Sequence, residues 1–188
     1  MTEDRLQVAE AIATWARATG EPEGPALGGG GEPPAPRSVA DCAVVELREV
    51  TAETVRAICR LQVAPSQRRF VAPNAVSFAE ALFEPKAWYR AVYADGVPAG
   101  FAMLYVDVET PEYFLWRFMV ADGLQGLGYG RRALELVVDH VRTLPGATEL
   151  LTSWVPGAGS PEGFYLAFGF EPTGKVDEGE IVARLALA

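Results

Sequence analysis

Apolar residues recur along this 188-residue chain with two different periods, and the switches between them mark its elements. Val44 to Arg48 reads as a first strand. Thr51 opens a helical stretch to about Leu61, with Val55, Ile58 and Cys59 on an apolar face. Phe70-Val71-Ala72-Pro73-Asn74 reads as a loop, and Ser77 starts a short helix that ends before Pro85. Trp88 to Ala94 and Pro98 to Val108 read as a hairpin, with Asp95-Gly96 as its turn. Glu112 to Val120 is the next strand, and Phe114 to Val120 within it is apolar enough to be buried. Arg132 to Arg142 then places Ala133, Leu134, Val137, Val138 and Val141 on one helical face. Glu149 to Trp154 is a strand expected to lie parallel to the preceding one through a right-handed crossover. Ser160-Pro161-Glu162 opens a short helix, with serine as cap and proline in the first turn. Phe170 to Lys175 and Gly179 to Leu187 close the chain as strands.

The first 41 residues follow another pattern. Within Thr2 to Ala18, Leu6, Ala9, Ile12, Ala13 and Ala16 share a helical face, so residues 1–19 are predicted as an N-terminal helix. Residues 20–41 hold Gly28 to Gly31 and five prolines, a composition that cannot pack and reads as a linker. The folded domain is expected over 42–188. The short helix is marginal alone and is expected to dock on that domain or on a second subunit, or to stay partly disordered.

Composition narrows the chemistry. An apolar fraction of 49% suffices for one good core. No run reaches the roughly 20 apolar residues of a membrane span, and no secretory signal is visible. Cys42 and Cys59 offer neither a disulfide framework nor a metal spacing, so a cytoplasmic protein without a metal is expected. His140 is the only histidine, mid-helix beside Asp139, which leaves little room for histidine-based catalysis. With 25 acidic and 16 basic residues the net charge is −9, a poor surface for nucleic acid and a good one for a small cation.

The stretch Gln125-Gly126-Leu127-Gly128-Tyr129-Gly130-Arg131 lies between the buried strand and the long helix. Strand, glycine-rich turn and helix start together present backbone N–H groups to a phosphate, and Arg131 adds a full charge. Gly128-x-Gly130-x-x-Ala133, with Glu149 further on, fits a relaxed dinucleotide fingerprint. Five residues separate the strand from its first glycine, however, and too little chain follows for a doubly wound sheet. Gln125, Gly128 and Gly130 instead match Gln/Arg-x-x-Gly-x-Gly/Ala. This resembles the pyrophosphate loop of the GNAT superfamily of N-acetyltransferases, which bind acetyl-coenzyme A. Phe164-Tyr165-Leu166-Ala167-Phe168-Gly169-Phe170 resembles the same family's Tyr-x-x-x-Gly-Phe signature, and the element order from about residue 42 to the end is similar too.

The resemblance implies an α/β (α+β) fold: a mixed central sheet of six to seven strands flanked by helices, here with an N-terminal helical extension. It implies acetyl-CoA as co-substrate, held by Gln125 to Arg131. A backbone N–H from Phe118, Met119 or Val120 would polarise the thioester carbonyl. Tyr165 stands where the family often has its general acid, and a phenol near 10 can protonate a thiolate whose conjugate acid is at about 8.5–9. No cysteine lies near either motif, so direct transfer is expected.

Within the superfamily, the segment Phe70 to Asn74 with Ser77 and Ala79-Glu80-Ala81 resembles the acceptor side of bacterial diamine and polyamine acetyltransferases. So do Leu115 to Met119 and Thr173-Gly174 with Gly179-Glu180. Asn74, Glu80 and Trp116 are the acceptor-side candidates. Two departures stand out. Relatives often carry a glutamate base on the strand before the glycine loop, where this chain has Trp116 and Arg117; Glu80 is the alternative acid, to hold the ammonium or relay its proton. Relatives often carry a coenzyme-contacting asparagine seven residues before the tyrosine, where this chain has Ala158; Ser160 is the candidate replacement. The sequence thus points to an amine N-acetyltransferase for a diamine or polyamine, with a homodimer possible. An enzyme for an amine-bearing antibiotic or other small amine, and a non-catalytic acetyl-CoA-binding protein, stay open beside it.

Overall fold

A computed structural model describes residues 43–187. The predicted N-terminal helix and linker lie outside the described residues. Seven strands form one sheet: β1 (Val45–Arg48), β2 (Ala87–Ala94), β3 (Val97–Asp107), β4 (Glu112–Val120), β5 (Glu149–Trp154), β6 (Glu171–Asp177) and β7 (Glu180–Ala186). Their spatial order is β1-β2-β3-β4-β5-β7-β6. Only β4 and β5 pair in parallel; the other neighbours are antiparallel. The helices are α1 (Val55–Cys59), α2 (Asn74–Ala81), α3 (Tyr129–Arg142) and α4 (Glu162–Phe168), with a 3-10 turn at Pro65–Gln67. This is the mixed α+β architecture expected from the sequence.

Local chemistry explains most boundaries. Asp95 and Gly96 turn the β2–β3 hairpin with φ of 51° and 77°, the primed geometry that matches strand twist. Helix α2 starts at Asn74, three residues before the predicted serine. Pro73 stands at its N-cap with φ −55°, already suited to a helix entry, so Ser77 falls mid-helix and is fully buried. Helix α3 also starts three residues early, because Gly128 supplies the left-handed cap.

The period of two on β3 sends alternate side chains to opposite faces. Leu104 joins Leu115, Leu150 and the apolar stripe Leu134, Val137 and Val141 of α3 in one cluster. Phe101 and Met103 join Ile58 of α1 and Met119 of β4 in the other, with Phe78 of α2 edge-on to Phe101 at 5.1 Å. Each fully buried Leu, Ile or Phe contributes roughly 1.5–3 kcal/mol. The sheet is thus held from both faces, and a defect in its middle is stable.

That defect lies in β4. Met103 pairs with Arg117 and Leu104 pairs with Leu115, so Trp116 is an extra residue. Such a bulge bends its strand and sharpens its twist. On the other side, β4 meets β5 only at Phe114↔Leu151 and Leu115↔Thr152. Beyond those two rungs the parallel strands part.

Candidate active site

The opening between β4 and β5 exposes one row of backbone groups. The Ala121 N–H donates to the Ala99 carbonyl at 2.8 Å, toward β3. By the alternation of an antiparallel ladder, Phe118 and Val120 point their N–H groups the other way, into the gap. The Val120 carbonyl does point there, since it accepts from the Gln125 carboxamide at 2.8 Å. Met119, expected to share this role, turns its backbone to β3 and its side chain to the α1–α2 face. Close packing holds β4 in place: a Cβ on Gly100 would lie 2.3 Å from the Met119 carbonyl oxygen, so only glycine fits there.

The glycine-rich turn closes one end of the gap. Gly126 and Gly128 adopt φ of 74° and 85°, and an added Cβ at either would meet nothing within 4 Å. The turn is therefore an open concavity lined by backbone. The first intrahelical bond of α3 runs from the Arg132 N–H to Gly128, so the N–H groups of Tyr129, Gly130 and Arg131 precede it. No acidic residue stands in that first turn to compete for an anion. These amides suit a diphosphate. The side chains of the turn make contacts within the protein as well. Gln125 ties the turn to β4 and to Gln67, and the Arg131 guanidinium bonds the Ala167 carbonyl at 3.3 Å and pairs with Glu135.

Helix α4 faces the vertex where the strands separate. Tyr165 is buried, stacked on Trp154 with ring centroids 5.6 Å apart. It lies near Thr152, whose hydroxyl donates to the Leu115 carbonyl at 3.2 Å, on the last paired rung. Burial pushes the phenol up to about 12, the Thr152 hydroxyl opposes this, and the Glu180 carboxylate adds to it. Tyr165 is therefore a neutral donor at any physiological pH. Phe164 stacks on Phe118 at 5.8 Å and packs close to Gly130, where an added Cβ would stand 3.5 Å from its ring. Ser160, a predicted coenzyme contact, accepts from the Glu162 N–H at 3.3 Å and so helps start α4.

The acceptor-side candidates gather on the other face. Asn74, Ser77 and Glu80 form a buried polar stripe on α2 turned to β4. Asn74 is a scaffold contact: its amide donates to the Ile58 carbonyl at 2.9 Å and leans on the Met119 sulfur at 3.8 Å. Glu80 is paired with Arg117, whose Nη2 lies 3.2 and 3.0 Å from its two oxygens. Burial raises the Glu80 carboxyl above its usual value, and the Arg117 charge and hydrogen bond only partly offset that. The bulge brings Trp116 and Arg117 to this same face, with the guanidinium 5.3 Å from the indole. The predicted acid is thus present, but its first partner is the arginine that replaces the family's base. The sequence pattern does not single out Phe164, Thr152, Gln67 or Arg69. Each looks like an ordinary helix, strand or loop residue until the chain is folded.

A parallel strand pair opens beside an amide-lined turn, with a buried phenol at the vertex. The sequence matches the acetyltransferase (GNAT) family over residues 55–170, and the chain belongs to that family. It is an acetyl-CoA-dependent N-acetyltransferase. Solved structures agree in fold. An acetyltransferase from Thermus thermophilus superposes with TM-score 0.62 at 16% identity, over 76% of this chain and 96% of that one. The ribosomal-protein-S18-alanine N-acetyltransferase of Escherichia coli gives 0.58 at 19% identity, over 78% and 95%. A Bacillus subtilis acetyltransferase in complex with CoA gives 0.55 at 17% identity, over 78% and 100%. At such identities the likeness extends to the fold alone. No curated protein matches the sequence significantly.

Proposed function

We propose that this enzyme acetylates a primary amine of a small cationic acceptor, a diamine or polyamine, by direct transfer in the cytoplasm. The observation that carries the transfer chemistry is the split of β4 from β5 just past Leu115, with Tyr165 at its vertex. Acetyl-CoA supplies an activated acyl carbon on a thiol leaving group. The Phe118 and Val120 N–H groups stand where they can bond a carbonyl oxygen laid in the gap, and they need no reorganisation to do so. The amides of residues 126–131 hold the diphosphate.

Tyr165 acts by hydrogen bonding to the leaving sulfur rather than by giving up its proton outright. Burial raises the phenol above its usual value, which favours a proton that is shared with the sulfur but kept on the oxygen. The amine's proton is taken up through water, with the Glu80–Arg117 pair setting the charge beside it. The acceptor class rests on the net charge of −9 and on the likeness of residues 70–81 to the acceptor side of polyamine enzymes.

An acceptor screen with detection of released thiol tests this reading. Putrescine, spermidine and spermine are expected to turn over. If all three are inert while an aminoglycoside or an N-terminal peptide is acetylated, the acceptor class is wrong. A full chain with the solution mass of a monomer would remove the homodimer.

A further inference from the structure

The segment between α1 and α2 touches both rims of the cleft. On one side, the Asp122 N–H donates to the Gln62 carbonyl at 2.8 Å, and the Gln125 carboxamide donates to Gln67 Oε1 at 2.8 Å. On the other, Arg69 donates to the Ala158 carbonyl at 2.8 Å, in the β5–α4 loop. The Phe70 ring lies against the same loop, 3.5 Å from where a Cβ of Gly159 would stand. The 3-10 turn at Pro65–Gln67 stiffens the piece between these contacts, and Gln67 Oε1 also accepts the Ala64 N–H at 3.3 Å. One short strap thus joins the rim that carries the diphosphate amides to the rim that leads into Tyr165.

Gln125 makes the connection consequential. Its single Nε2 bonds the Val120 carbonyl and Gln67 together. Val120 belongs to the open edge of β4, and Gln125 belongs to the glycine turn. Gln67 therefore helps fix the distance between the diphosphate amides and the strand that receives the thioester. Arg69 does the matching work opposite. Ala158 has no side chain able to reach the coenzyme, and its backbone is held by the strap instead.

We propose that Gln67 and Arg69 are positioning residues for acetyl-CoA, setting the width of the cleft from outside it. Neither belongs to the glycine turn, and neither needs to touch the coenzyme. The proposal rests on the assignment of the β4–β5 opening as the coenzyme cleft.

Calorimetry of acetyl-CoA binding to the full chain and its variants tests it. Gln67→Ala and Arg69→Ala should each weaken binding about 3- to 10-fold, the worth of one exchanged hydrogen bond. Gln67→Met keeps the bulk and removes the acceptor oxygen, so it should lose as much as Gln67→Ala. If Gln67 works through Gln125, the Gln67→Ala/Gln125→Ala double variant binds no more weakly than Gln125→Ala alone. Wild-type affinity within twofold for Gln67→Ala and Arg69→Ala, full affinity for Gln67→Met, or additive losses at 67 and 125 would each overturn the proposal. Absence of any heat from the wild-type chain would instead overturn the cleft assignment itself, before any variant is compared.

Discussion

At the scale of single residues, two buried ionisable groups carry opposite expectations. Tyr165 sits at about 12, and the proposed reaction has it donate a hydrogen bond to the leaving sulfur. Tyr165→Phe keeps the ring stacked on Trp154, so acetyl-CoA affinity should hold within about twofold. Turnover should fall by roughly 10²-fold, the usual worth of such a donor. A variant with unchanged turnover would remove Tyr165 from the chemistry. Glu80 is different, because burial outweighs Arg117 and raises its carboxyl above the ordinary 4.5. The folded chain then binds this proton more readily than the unfolded chain does. Stability from this group is highest in acid and declines as pH climbs above about 4.5 toward the raised value. Arg117→Ala strips the buried carboxylate of its partner, at a cost of about 3 kcal/mol near neutral pH. Its denaturant midpoint should fall more steeply with rising pH than that of the wild type. Adding Glu80→Gln should flatten that dependence, and a parallel pH profile for both variants would contradict it.

At the scale of elements, two glycines serve different ends. Gly100→Ala drives a Cβ against the Met119 carbonyl, a backbone atom that cannot swing aside, and should cost about 1–3 kcal/mol by urea titration. Gly128→Ala meets no atom but must hold φ at 85°, so its strain is about 1–2 kcal/mol. The Gly128 change should also weaken coenzyme binding, because relaxing that strain rotates the amides that line the turn. Equal coenzyme affinity in Gly128→Ala and wild type would mean that the turn does not hold the diphosphate. Both effects depend on strands and turns whose existence was readable in the sequence. Glu112 to Val120 and Glu149 to Trp154 have the predicted bounds, since each is a short apolar run between turn residues. Helices α2 and α3 each start three residues before the position their apolar pattern predicts. The apolar pattern points to Ser77 and Arg132 as their first residues, whereas Pro73 and Gly128 begin these helices through backbone geometry.

For the whole molecule, the net charge of −9 sets the field in which the acceptor arrives. A multivalent cation is drawn to such a surface, and salt screens that attraction over roughly 8–10 Å at physiological strength. The KM for spermidine should therefore rise severalfold between about 20 and 300 mM salt. The KM for acetyl-CoA, an anion, should stay level or fall over the same range. A spermidine KM indifferent to salt would count against a cationic acceptor.

The local sequence determined the strand and helix order, the glycine turn and the place of Tyr165. Each depends on neighbours a few residues away: apolar period, turn chemistry, or a short motif. Folding alone decided that Glu80 meets Arg117, that Asn74 is a brace, and that Gln67 and Arg69 reach the two rims. Those contacts join residues 37, 45, 58 and 89 positions apart. A polar side chain at such a distance finds its partner through sheet register and a bulge, and neither leaves a period in the chain that could be read beforehand.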